Sequence, residues 1–566
     1  MRDVVVLGSG LGGSTLAAVL ARQGLDVLVL EAGSHPRFAV GESVVPEFGA
    51  RARILAKLYG VDELAYLSNF QWLRHRVSGS SGVKRNFTFL THEAGEEHRA
   101  AATSQFEAMT YPLGPDTHLY RPEVDTWLNS LAVRYGADYR ERVEVRGIEF
   151  AGDRVTLQTS RGTEQAKFVV DATGFRSVLA EREGLRPAEL PHQTDTRSIF
   201  THMVGVGGLV PSRRGDPLPV PSPPDQGTLH HLFHGGWFWV IPFDNHLAAT
   251  NPLCSVGVTL DRRVHPDDGR DGEVEFREIV GRFPTVARQL ERARAVRGFV
   301  KTGRVQYAST RVAGDRWCLL PHAAFFVDAL FSAGNTLTLA GIQEVTRVLL
   351  QAFAEDRFTA TAFADYQQGI HDNLQLLDRV VHGAYLCMGS AELFNAYFRV
   401  WAVCNFHASA AAVRAHLRFA ATGDRGFLEA THDHPFRRVL GLQQPRLREL
   451  VDAAYAIVLE RHRGALREEA AVDRLFELLR QQSWIPPQFH IAERKRRHLA
   501  SFTAFPLTAL ILWGKRHAPP EIRAACYDVG PVFYWELTKS LAREAGRSAA
   551  QFGRVVMNAH FTRGRA

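Results

Sequence analysis

The apolar positions at the start of the chain change period twice within thirty-one residues. Val4-Val5-Val6-Leu7 and Val27-Leu28-Val29-Leu30 are continuous apolar runs of the kind buried on both faces of a parallel sheet, and the segment between them carries one apolar face. Strand, tight turn, helix and strand are predicted. Further on, Ile54, Leu55, Leu58, Val61 and Leu64 fit one face of a helix or a broken helical pair between Phe48 and Tyr66. Arg85 to Phe89 alternates as a strand does, Thr126 to Tyr135 is helical, and Val143–Phe150 and Arg154–Thr159 read as strands around the turn Ala151-Gly152-Asp153. Residues 198–300 are strand-rich, with Ser198–Met203, Thr228–Phe233 and Cys254–Val258 predicting a mostly antiparallel sheet. After a strand at Arg316–Leu320 and a long helical segment to about Phe358, the pattern is mainly helical from about Thr361 to the end.

The turn between the first strand and its helix is Gly8-Ser9-Gly10-Leu11-Gly12-Gly13. Gly8 suits the turn, Gly10 lets backbone N–H groups approach a pyrophosphate, and Gly13 lets the helix pack on the sheet, with the positive helix end facing the phosphates. Eighteen residues past Gly13, Glu31 closes the second strand with a carboxylate suited to a ribose and hostile to a 2′-phosphate, which favours FAD or NAD over NADP. The strand Phe168-Val169-Val170 then runs into Asp171-Ala172-Thr173-Gly174, which resembles a second flavin fingerprint and moves the choice to FAD.

Composition changes this picture little. The chain has 566 residues, 45% apolar and 22% charged, enough for a cofactor domain with inserted and appended parts. Its net charge of +7 is scattered apart from Arg494-Lys495-Arg496-Arg497, so nucleic-acid binding is not expected. The longest late apolar run, Phe502 to Trp513, is broken by Pro506 and too short for a bilayer, and the first strand starts too early to leave room for a leader, so a cytoplasmic protein is expected. Five cysteines without CxxC spacing predict reduced, buried thiols. His202, His230 and His231 lie in the strand-rich region, but His230 and His231 face opposite sides of one strand, and no metal is expected. The Pro-rich stretch Pro211–Pro224 reads as a surface loop.

Four further motifs follow in order: the turn Gly41-Glu42-Ser43; Lys84, which ends a glycine-serine turn at the start of a strand; Trp237-Phe238-Trp239-Val240-Ile241-Pro242; and Asp328-Ala329-Leu330-Phe331-Ser332-Ala333-Gly334-Asn335 before a helix. Taken singly, a lysine in such a turn is ordinarily solvated, and two tryptophans at period two fit a plain sheet core. Together the motifs resemble the flavin-dependent halogenases. Residues 197–206 and 251–257 are similar to the subgroup acting on phenolic and aromatic-polyketide rings.

The resemblance implies an α/β fold: a Rossmann-like FAD-binding domain of the flavin hydroxylase type, with an inserted antiparallel substrate sheet and a C-terminal helical region. The expected division is 1–180 and 301–360 for FAD, 181–300 for the substrate sheet and 361–566 for a helical cap. It implies Lys84 as the catalytic lysine, Gly41, Glu42 and Ser43 against the isoalloxazine, and Arg121 on the flavin phosphates or ribose. Asp328, Ser332 and Gly334 would lie beside the flavin, and backbone N–H groups around Ser332, Gly334 and Asn335 would hold halide. Trp237 and Trp239, in the motif that Pro242 ends, would keep substrate from the flavin. Two departures stand out: Ala329 replaces the usual proline, which loosens the loop, and Pro321-His322 replaces the Gly-Asp of many flavin hydroxylases.

The implied function is an FADH2-dependent halogenase that chlorinates or brominates an electron-rich phenolic ring by hypohalous acid directed by Lys84. A separate NAD(P)H-dependent reductase would supply reduced flavin, and the substrate would be free or tethered to a carrier protein. His202 or a polar neighbour would serve as the base forming a phenolate. Two alternatives remain open at this stage: an aromatic hydroxylase on the same scaffold, and a flavin-binding pathway protein without halogenating activity.

Overall fold

The computed structural model describes residues 1–108, 112–209, 218, 220–434, 436–499, 504–539 and 542; of the stretch Pro211–Pro224 read as a surface loop, 211–217 and 219 lie outside them. The continuous apolar runs sit at the centre of an eight-stranded sheet. Arg2–Leu7 pairs in parallel with Val27–Glu31 on one side and Gly162–Asp171 on the other, and Gly162–Asp171 continues in parallel to Trp317–Leu319. Val4 to Val6, Val27 to Val29 and Phe168 to Val170 are fully buried, as strands covered on both faces must be. The hairpin Val145–Ala151 and Arg154–Thr159 extends this sheet, as its turn residues predict.

The second sheet has nine strands. Its spatial order runs from Arg294–Ala295 through Thr196–Val204, Cys254–Asp261, Gly236–Pro242, Thr228–Phe233, Asn86–Thr91 and Thr103–Glu107 to His498–Leu499, with Val300–Lys301 also on Thr196–Val204. The expected boundary at residue 180 is therefore crossed. The strand Asn86–Thr91 joins Thr228–Phe233 in parallel because Phe87 and Phe89 need the same apolar face as Trp237. Alternation splits the sheet cleanly: Phe238 and Val240 face one cluster with Phe276 and Phe283, whereas Trp237, Trp239 and Ile241 face the main core.

Beside this sheet, Gly82–Lys84 and Asp116–His118 form a two-stranded antiparallel ribbon that sets Lys84 opposite Asp116 and Gly82 opposite His118. The helix expected from Thr126 begins earlier, at Arg121, with Pro122 in its first turn, where a missing N–H is tolerated. The C-terminal region is helical as expected, built around Ala364–Cys387, Ala391–Thr422 and Pro445–His462. It is fastened to the helix Gly334–Glu355 by Arg438, whose Nη1 meets both Glu344 carboxylate oxygens at 2.6 Å inside the protein. Among the described residues no helix is long and apolar enough to cross a membrane.

Candidate functional site

The glycine turn is built as its sequence demands. Gly8 has φ +89°, and a Cβ on it would lie 2.9 Å from the Ala172 carbonyl oxygen; a Cβ on Gly13 would lie 1.9 Å from the Gly8 carbonyl oxygen. Gly10, at the start of the helix Leu11–Arg22, keeps open space: the nearest atom to a Cβ there is Arg37 Nη2 at 3.6 Å. Arg37 Nε and His35 Nδ1 are buried beside this turn without a hydrogen-bond acceptor or donor, so the cradle presents unmatched polar groups where an anionic dinucleotide would lie. Sequence reasoning missed Arg37, which sits in an irregular loop without a motif.

Glu31 is engaged by its own chain. Its Oε2 accepts from Ser9 N at 3.0 Å, Ser9 Oγ at 2.9 Å and Arg37 Nη2 at 3.2 Å, and its Oε1 from Gly33 N at 2.8 Å. Burial pushes this carboxyl up, yet the bonds from Ser9 and Gly33 and the charge of Arg37 leave it below its ordinary value. Asp171 differs more from expectation. Its carboxylate accepts from Thr173 N and Oγ1, Ser177 Oγ and Leu179 N, so it shapes the turn after its strand and leaves cofactor approach to the backbone.

Residues distant in sequence meet at the Gly41-Glu42-Ser43 turn. Gly41 has φ +88°. Asn335 donates from Nδ2 to the Gly41 carbonyl at 2.7 Å, and Arg121 donates from Nη1 to the Val40 carbonyl at 2.5 Å while pairing with both oxygens of Asp125 at 2.8 and 2.9 Å. Arg121 is buried and holds the turn; a surface arginine is excluded. Glu42 Oε1 meets His202 Nε2 at 2.6 Å, and His202 packs edge-on against Phe38 and Phe243. His202 therefore faces the turn, with its Nε2 committed to Glu42, so that Nδ1 is the nitrogen left to the base role expected of it.

Lys84 is fully buried, not solvated. Its Nζ donates to Ser43 Oγ at 2.6 Å and to the Val44 carbonyl at 2.7 Å, and lies 3.5 Å from the Phe87 ring centre. Burial drives its pKa well below that of a free lysine, opposed only by Asp116. Asp116 is itself buried, with Oδ2 lacking any partner, and burial pushes its pKa up to about 8 against the pull of Lys84.

Ser43 is the hub. Besides accepting from Lys84 it accepts from Ser332 Oγ at 3.0 Å and lies 2.9 Å from Thr228 Oγ1, which in turn lies 3.0 Å from His118 Nε2; His118 Nδ1 reaches the carbonyl of Pro242 at 2.9 Å. Four motifs separated by up to 289 residues thus share one hydrogen-bond network.

The loop 328–335 is also closed on itself. Ser332 has φ +55°, rare for a side-chain-bearing residue, and its hydroxyl is committed to Ser43 as the Asn335 amide is to Gly41. Donors for an anion are thereby limited to the backbone N–H groups opening the helix Gly334–Glu355, which has no side-chain cap. Asp328 accepts from Leu330 N at 2.9 Å and from the hydroxyls of Thr196 and Tyr385, each at 3.1 Å; burial pushes it up to about 6 in spite of them. Tyr385 accepts in turn from Trp237 Nε1 at 2.8 Å, joining the tryptophan motif to the loop. Trp239 donates to Ser255 Oγ at 3.1 Å, and its ring occupies the space over Gly257. Both tryptophans are buried on one strand face with ring centres 5.8 Å apart. At the departure Pro321-His322, His322 Nδ1 lies 3.3 Å from Thr338 Oγ1, and burial and Arg121 bring it down to about 4, so it is neutral.

The C-terminal helices meet these elements through Trp401. Its ring stacks on Phe331 at 4.7 Å and meets Phe87 edge-on at 5.0 Å, while Phe394 and Phe398 pack on Phe89. The expected pairing of His230 and His231 with opposite faces is observed: His230 packs between Phe89 and Trp237, whereas His231 contacts His92 at 2.9 Å and Gln289 at 2.9 Å.

Residues 6–57 match the NAD(P)-binding Rossmann-like domain, and residues 60–388 match the tryptophan halogenase family. The chain is 38% identical to tetracycline 7-halogenase of Kitasatospora aureofaciens, over 92% of this chain and 94% of that protein. It is 34% identical to monodechloroaminopyrrolnitrin halogenase PrnC of Pseudomonas fluorescens, over 94% of each. Among solved structures, halogenase PltM in complex with phloroglucinol and FAD superposes with a TM-score of 0.83 at 29% identity, over 88% of this chain and 99% of that one. By these likenesses the chain is a member of the tryptophan halogenase family of flavin-dependent halogenases.

Proposed function

We propose that this protein chlorinates or brominates an electron-rich phenolic ring, with Lys84 as the residue that receives and aims hypohalous acid. The observation that supports this reading most directly is the placement of Lys84: a buried side-chain nitrogen held at two acceptors, Ser43 Oγ and the Val44 carbonyl, at the meeting point of the Gly41-Glu42-Ser43 turn and the loop 328–335. The glycine cradle with Arg37, Glu31 and the Arg121-braced turn would hold FAD. When bound in reduced form, FAD supplies the reducing equivalents with which oxygen and halide yield hypohalous acid.

Lys84 then meets that acid. Nζ directs the halogen to the ring, which attacks it; the acid's oxygen leaves as water and the ring proton is lost. The net change is ring C–H plus HOX giving ring C–X plus water. The packed rings of Phe87, Phe331 and Trp401 beside Lys84 would offer a flat ring an apolar surface. The first turn of Gly334–Glu355 would hold the halide by backbone N–H groups. Activity on an aromatic substrate requires a flavin reductase as partner. A relative that chlorinates a pyrrole-2-carbonyl group on a peptidyl carrier protein, 28% identical over 66% of this chain, keeps a tethered substrate open alongside a free one. The five free, buried cysteines suit a cytoplasmic setting.

The test is mass spectrometry of products from the protein with FAD, a flavin reductase, NADH and a phenol panel, in chloride, bromide or no halide. Halogenated product only with halide, lost in Lys84→Ala while flavin oxidation continues, is the expected result. Oxygenated product without a halide requirement would assign hydroxylation instead.

A further inference from the structure

We propose that His118 is the proton partner of Lys84, reached through the hydroxyls of Ser43 and Thr228, and that the carbonyl of Pro242 sets the tautomer that makes the exchange work. This inference rests on Lys84 as the residue that meets hypohalous acid.

The direction of every proton in the chain follows from one end. The Pro242 carbonyl can only accept, so His118 Nδ1 carries a proton towards it at 2.9 Å. In the neutral ring Nε2 must then accept, and its neighbour is Thr228 Oγ1 at 3.0 Å, which therefore donates. Thr228 accepts from Ser43 Oγ at 2.9 Å, and Ser43 accepts from Lys84 Nζ at 2.6 Å and from Ser332 Oγ at 3.0 Å. All hydroxyl protons point from the lysine to the imidazole. The backbones of Ser43 and His118 also bridge directly, which fixes the spacing.

A concerted shift along this chain moves one proton from Lys84 to Ser43, one from Ser43 to Thr228 and one from Thr228 to His118 Nε2. Lys84 becomes an amine, both hydroxyls are restored and His118 becomes an imidazolium still bonded to Pro242. An amine, unlike an ammonium, has a lone pair for the halogen: Lys-NH2 plus HOX gives Lys-NHX plus water, and transfer to the ring gives ring C–X and Lys-NH2 again. The His118 proton then returns. The total charge of the buried cluster never changes, so no new ion is desolvated during the exchange.

The groups that bias it are few. Asp116 faces Lys84 across the ribbon, His230 lies on the adjoining sheet strand, and Glu42 precedes Ser43 with its carboxylate held by His202. Burial first, and the charge of Lys84 second, bring His118 down to about 3, and the second cause vanishes once the lysine has given up its proton. Sequence reasoning did not single out His118 or Thr228, and the arrangement gives Pro242 a role through its carbonyl.

The experiment has two arms. In the holoenzyme, His118→Gln keeps a side-chain acceptor for Thr228 without a titratable ring. Halogenated product per flavin oxidised is expected to fall about ten-fold or more at pH 7 and to recover towards wild type as rising pH deprotonates Lys84 directly. In the protein without cofactor, 13C NMR of labelled histidine should show the His118 titration moving to higher pH in Lys84→Met, because a positive neighbour has been removed. An unchanged pH profile in His118→Gln overturns the proposal, as does a loss equal at all pH values, or a His118 titration indifferent to Lys84. Failure of Lys84→Ala to abolish halogenation would remove the underlying reading instead, and the NMR arm would still report whether the two residues are coupled.

Discussion

At the scale of single residues, the site is governed by what burial does to charge. Asp116 is buried without a hydrogen bond to one carboxylate oxygen, and its pKa of about 8 lies above the unfolded value. A carboxyl raised in this way contributes stability that is present below its unfolded pKa and lost as pH climbs through the folded one. Asp116→Asn removes that loss. The variant should gain stability relative to wild type between pH 5 and pH 8, read from urea midpoints at the two pH values; an unchanged difference would mean that Asp116 is already ionised in the folded protein. Gly13 offers a sharper test of sterics, because a Cβ there would lie 1.9 Å from the Gly8 carbonyl oxygen. Gly13→Ala should lose FAD retention by equilibrium dialysis, whereas an alanine at Gly10, whose nearest neighbour is 3.6 Å away, should leave the fold intact.

At the scale of elements, the same side chains tie the C-terminal helices to the cofactor domain. Gly369 sits in Ala364–Cys387 where a Cβ would lie 1.8 Å from the Arg438 guanidinium, and Arg438 holds Glu344 of Gly334–Glu355. Gly369→Ala must displace that guanidinium and break a buried pair, a loss of about 3–5 kcal/mol. A lowered thermal midpoint is expected, with loss of halogenation at temperatures where the protein is still folded, because Gly334–Glu355 also carries Gly334 and Asn335. The strand Gly236–Pro242 shows how one element serves two purposes. Trp237 reaches Tyr385 and through it Asp328, while the terminal Pro242 carbonyl binds His118. Neither role depends on tryptophan being a large apolar side chain, which is all that a period-two pattern conveys.

At the scale of the whole molecule, histidine burial dominates the pH response. His98, His118, His230, His231, His407 and His416 are all brought down to between about 3 and about 4 by burial, so they are neutral in the folded protein. Groups with depressed folded pKa values contribute stability above their unfolded pKa that is lost as pH falls through the folded values. A fall in stability between about pH 6.5 and pH 4 is expected from urea midpoints, before most carboxylates protonate. A midpoint that stays level over this range would contradict the neutral assignment.

The sequence by itself determined the cofactor half of the protein. Strand, glycine turn, helix and acidic strand end lie within thirty-one consecutive residues, and their sterics are local: Gly8 and Gly13 meet backbone that is eight residues or fewer away, or on the adjacent strand. The order of the later motifs was equally legible, because each is a short contiguous run. What only the tertiary structure decided is how those runs meet. Whether Lys84 is solvated or buried, where His202 points, how Glu31 and Asp171 use their carboxylates, and that Arg37, Asp116, His118 and Thr228 matter at all depend on strand register and turn closure between segments far apart in the chain. No local pattern encodes such contacts, since a polar residue in a strand looks the same whether its partner is water or a buried lysine.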